Sequence, residues 1–94
     1  MKDTRRATKI YLKHLPPLLA ADLIDEYKIP SPQREVLISA CIMGKGGFEG
    51  VAYLKEKYSI YILYWQFVRI LSRGLDMFYN THIYKGKDYA KFLQ

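Results

Sequence analysis

Gln66, Arg69, Arg73, Asp76 and Asn80 follow one another at intervals of three, four, three and four residues. On an α-helix this spacing puts all five on one side, one above another. A glutamine amide and an arginine fork are the groups that pair with the edges of adenine and guanine. Just ahead of the stripe, Ser59, Tyr61 and Tyr64 carry hydroxyls that can donate to phosphate oxygens. Near the other end of the chain, Arg5, Arg6, Lys9 and Lys13 form a basic run. Such a run can track a phosphate backbone, or Arg5 and Arg6 can enter a minor groove. The plain alternatives are a solvated helix face for the run and core packing for Tyr61, Ile62 and Tyr64.

Other chemistries find less support. His14 and His82 are far apart in sequence, each in a polar region expected to be exposed, and no Ser-His-Asp or Cys-His arrangement follows from position. Asp22, Asp25 and Glu26 cluster, but a solvated face explains them more simply than a metal site. Cys41 is the single cysteine, so no internal disulfide can form, and no Cys/His cluster has zinc spacing. Inside an apolar run it reads as a small buried hydrophobe. Gly44-Lys45-Gly46-Gly47 lacks the spacing of a phosphate-binding loop and follows no strand, so it reads as a connector. The expectation is a non-enzymatic protein without cofactor or metal.

The elements that must position the stripe are helical. Residues 1–4 read as a flexible basic arm, and a first helix is expected over about Arg5 to His14, stopped by Leu15-Pro16-Pro17. A second runs from about Pro17 to Tyr27, with Leu19, Leu23 and Tyr27 on its apolar side. The third opens with Ser31 as N-cap and Pro32 in the first helical position, and ends at Gly44. A fourth is expected over about Phe48 to Tyr58 and a fifth over about Ile62 to Asn80. Residues 81–94 read as a loosely ordered basic tail with a short turn around Tyr89 to Leu93. Strand signals are weak, so the fold class is all-α, a single small domain of about five helices.

Residues 48–80 then read as a short helix, a tight turn at Tyr58-Ser59-Ile60, and a long helix bearing the stripe. In a basic chain this is a helix-turn-helix candidate, the minimal device for laying one helix into a major groove of double-stranded DNA. Lys45, Lys55 and Lys57 flank the pair and would clamp either side of the groove. Ser31 to Leu71 resembles the helix-turn-helix part of sigma factor region 4 and the small phage-type transcriptional regulators related to it. The residues that carry the likeness are Pro32 to Glu35, the Gly44 to Gly47 loop, Val51-Ala52, the turn at Ser59-Ile60, and Ile60, Trp65 and Val68. The resemblance implies transcription regulation, with Trp65 and Val68 as inward anchors. Against the family pattern, Val51-Ala52 lies further from the turn and the turn has no glycine.

The chain has 94 residues, a net charge of +6 and 15% aromatic residues. That bounds it to one domain with a small core and favours an anionic partner. No signal peptide or spanning segment is read from the sequence, which gives the expectation of a cytoplasmic protein with no membrane partner. The fifth helix is apolar over most of its circumference. Either the shorter helices or a second copy in a homodimer must cover it. The competing functional reading is a helical protein–protein interaction module that binds and modulates another protein. A third is attachment to acidic membrane surfaces.

Overall fold

Two prolines make the first corner. In a computed structural model, which describes residues 4–84, α1 spans Thr4–His14 and α2 spans Pro17–Glu26. Pro17 opens α2 where its missing N–H costs nothing. The buried side of α2 is Ala20, Ile24 and Tyr27, whereas Leu19 is exposed and Leu23 half-buried. This corrects the expected Leu19–Leu23–Tyr27 face. Two overlapping stripes fit the same period.

The third helix departs further from expectation. Gln33–Leu37 is α-helical (α3), but Ile38–Ile42 widens into a π-helical turn. The Met43 N–H reaches the Ile38 carbonyl at 2.9 Å, and Lys45 N–H reaches the Ser39 carbonyl at 2.8 Å. The buried Ser39 hydroxyl donates back to the Lys45 carbonyl at 2.7 Å, so the wider turn leaves this polar group satisfied. Ser31 does not cap the backbone: its hydroxyl donates to the Glu35 carboxylate, and Pro32, joined to Ser31 by a cis peptide bond, precedes the first helical residue. Gly44, at φ +70°, ends the segment as expected.

α4 covers Gly47–Tyr58 and α5 covers Tyr64–Tyr84. The five α-helices form one all-α domain, and no strand occurs among the described residues. α5 is central, packed by α1, α3 and α4, and it continues through residues 81–84, beyond the expected end at Asn80 and into the expected tail. Residues 1–3 of the expected arm and 85–94 of the expected tail, including its turn at Tyr89 to Leu93, lie outside the described residues. The inward side of α5 is Phe67, Gly74, Leu75, Phe78 and His82, with Leu71 partly buried. At Gly74 an added Cβ would meet Leu37 Cγ at 3.1 Å, so the missing side chain lets α3 lie close. His82, expected to be exposed, is buried. Its Nδ1 lies 2.7 Å from the Tyr27 hydroxyl, and its ring stacks on Phe78 at 5.8 Å.

Burial of Cys41 pushes its thiol from 9.0 up to about 11, against the lowering effect of Lys9 and Lys13. Burial likewise pushes the Tyr27 hydroxyl from 10.0 up to about 12. Both folded values lie above the unfolded ones, so each group's contribution is complete below its unfolded pKa and lost as pH rises through the folded one. From these two groups, urea midpoints are expected to fall between pH 9 and 12. In the same titration, thiol labelling of Cys41 at pH 8 should proceed only as fast as the fold opens.

Candidate nucleic-acid interface

α4 ends at Ser59, which takes the left-handed conformation at φ +57°. Its N–H bonds the Lys55 carbonyl at 3.1 Å, and the Ile60 N–H bonds the Leu54 carbonyl at 3.2 Å. That is a Schellman closure, with a serine where glycine is the cheaper residue. The chain then runs from Ser59 to Leu63 without helix, so the connector is longer than the tight turn expected, and α5 begins at Tyr64 rather than near Ile62. This later start puts Gln66 in the third helical position. There its amide oxygen accepts the Leu63 N–H at 2.8 Å. Two-point pairing with adenine needs both ends of the amide, and the capping bond already holds one.

Trp65 and Val68 are not inward anchors; they are 56% and 45% exposed. The helix is turned so that Phe67 enters the core in their place. This rotation makes Trp65, Arg69, Arg73 and Asn80 the outward ridge of α5. Among the described residues neither Arg69 nor Arg73 makes an ion pair. Asp76, on the α1 side of the ridge, receives a two-point bond from Arg5, at 2.9 Å from Nε to Oδ1 and 2.8 Å from Nη2 to Oδ2. The hydrogen bonds to Asp76, and then its charge, push the Arg5 pKa higher still. Arg6, one residue on, is exposed.

The lysines expected to flank the pair divide. Lys55 and Lys57 are exposed in the last turn of α4, where cations also suit the helix dipole. Lys45 is half-buried with its Nζ 5.2 Å from the centre of the Tyr53 ring, a cation–π contact. Lys55 borders a cleft of about 210 Å³ with Val51, Ile60, Ile62 and Gln66. Around that cleft the front of the molecule is apolar: Phe48 is 78%, Tyr61 72% and Leu63 60% exposed. Phe48 and Tyr64 rest against each other, ring centres 4.5 Å apart.

The structure thus brings Lys55, Tyr61 and Gln66 to one cleft, with Ser59 and Lys57 at the end of α4 and Tyr64 at its start, against Phe48. It sets Arg5, Arg69 and Arg73 on the adjoining ridge and leaves Lys45 occupied with Tyr53. Trp65 heads the ridge instead of facing inward, and Asp76, expected in the polar stripe, has Arg5 as a partner that spacing does not reveal. The spacing of Phe67, Leu71, Leu75, Phe78 and His82 fits the inward side, but with apolar residues over most of α5 it does not single out that rotation. Searched against protein-family models, curated proteins and solved structures, the chain gave no match.

Proposed function

We propose that this protein is a small non-catalytic regulator that lays the exposed side of α5 against double-stranded DNA. The observation that carries the reading is Arg69 and Arg73 on successive turns of one exposed ridge, without ion-pair partners among the described residues. Lys55 and Lys57 on α4 and Arg6 on α1 are exposed on helices that pack against α5. Affinity in this scheme comes from arginine and lysine contacts with phosphate, and register comes from the ridge. Gel retardation with mixed-sequence duplex at two salt concentrations tests it. Retention should fall steeply with salt, and Arg69→Ala or Arg73→Ala should each weaken it about tenfold and lower the salt slope by about one.

A second reading has its own observation. Phe48, Tyr61, Leu63 and Trp65 form an apolar front that a protein partner, or a second copy of this chain, would bury. Salt-insensitive or absent duplex retention would favour it, together with a protein complex abolished by Tyr61→Ala. A sedimentation mass twice that of the chain would identify the partner as a copy. Among the described residues no helix is long and apolar enough to cross a membrane.

A further inference from the structure

We infer that the open cleft between the start of α1 and the middle of α5 is a phosphate site, with Asp76 as a built-in competitor for one of its arginines. The inference rests on the nucleic-acid reading above and adds a ligand class and a point of control to it. Arg5 comes from α1, and Arg69, Ser72, Arg73 and Asp76 come from consecutive turns of α5; together they line about 370 Å³. Three guanidinium groups against one carboxylate leave a surplus of two positive charges. A guanidinium fork matches two oxygens of a phosphate as well as it matches a carboxylate. The Ser72 hydroxyl supplies one more donor at the same place.

Arg5 already shows the geometry a phosphate would use. Its Nε and Nη2 hold the two oxygens of Asp76 at 2.9 and 2.8 Å. The side chains are 54% and 40% exposed, which is the setting in which ion pairs are weak and exchange readily. A phosphate arriving between Arg69 and Arg73 carries more negative charge than the Asp76 carboxylate and more acceptor oxygens. Arg5 then turns from Asp76 to the phosphate. While Asp76 keeps its charge it opposes that step by competing for Arg5 and by repelling the ligand. Asp76 thus does two things: it ties α1 to α5 when the cleft is empty, and it holds affinity below what three arginines would give.

The test follows the Nε–Hε NMR signals of Arg5, Arg69 and Arg73 in the full chain during titration with inorganic pyrophosphate at low salt. Duplex retention is measured in parallel. In the native protein the signals of Arg69 and Arg73 should shift first, and that of Arg5 only at higher pyrophosphate. In Asp76→Asn all three should shift, and both pyrophosphate and duplex should bind about fivefold tighter, the worth of one screened unit charge at contact distance. Arg5→Gln breaks the same tie between the helices but removes a donor, so it should bind more weakly than the native protein. Opposite effects of the two variants support the site. Equal effects, or arginine signals unmoved by pyrophosphate, overturn it and leave Asp76 as a brace alone. Pyrophosphate binding without duplex retention would remove the duplex reading and leave the phosphate site standing. Duplex retention with unmoved arginines would do the reverse.

Discussion

Phe78→Ala is expected to lower stability by about 3–5 kcal/mol, a large part of what a domain of this size possesses. Phe78 has no exposed surface and sits where α1, α2 and α5 converge. Its ring centre lies 4.9 Å from that of Tyr27, 5.8 Å from His82 and 6.5 Å from Tyr11. Deleting the ring removes the transfer energy of its carbons and leaves a cavity between three aromatic groups too rigid to close over it. At about 4–8 °C per kcal/mol, the melting temperature should drop by about 20 °C. Leu18→Ala is the control, because Leu18 is 82% exposed and should shift stability by no more than about 0.5 kcal/mol. A loss below about 1 kcal/mol at Phe78 would mean that this aromatic cluster does not hold the helices together.

What the sequence made legible were the punctuation marks. Pro16-Pro17, Gly44 and Ser59 all break the chain where they were read to do so, because each acts through its own backbone. The rotation of α5 was harder. A helix with apolar residues over most of its surface has a period but no unique phase, and so Trp65 and Val68 looked as fit to face inward as Phe67 and Leu71. The choice is made elsewhere: Gly50 on α4 leaves room for the Phe67 ring, and Gly74 lets α3 approach. The π-helical turn was equally hidden, since it depends on Ser39 finding the Lys45 carbonyl across a loop.

The candidate site divides along the same line. Exposure of Arg69 and Arg73 followed from their spacing, a local property. The pairing of Arg5 with Asp76 joins residues 71 positions apart, and no periodicity rule reaches that far. Gln66 shows a third case, in which the residue was identified but its work was not. Moving the helix start to Tyr64 turned a candidate base reader into a cap. Tyr61 and Leu63 lie in the longer connector and are exposed.

Gly50 is where fold and site meet, and even the smallest side chain there should be costly. A Cβ on Gly50 would lie 2.4 and 2.6 Å from two carbons of the Phe67 ring and 2.7 Å from the Lys45 carbonyl oxygen. The ring could swing aside at the expense of its own packing. The carbonyl cannot, because it is backbone and accepts the Ser39 hydroxyl at 2.7 Å. Helix propensity alone would make Gly→Ala stabilising by up to about 1 kcal/mol within α4. Overpacking should outweigh that gain, for a net loss of about 2–3 kcal/mol and a melting temperature about 10–20 °C lower. Gly46→Ala is the matched control: nothing lies within 4 Å of its added Cβ, and its φ of −113° suits any residue. Relief at Gly50 requires α4 to shift away from both the Phe67 ring and the Lys45 carbonyl, and α4 carries Lys55, Lys57 and the corner that holds Tyr61. Under the proposed function, Gly50→Ala should therefore lose duplex retention well below its own melting temperature, while Gly46→Ala keeps it. A higher melting temperature for Gly50→Ala would show that helix propensity prevails and that α4 and α5 are not in the tight contact on which the interface depends.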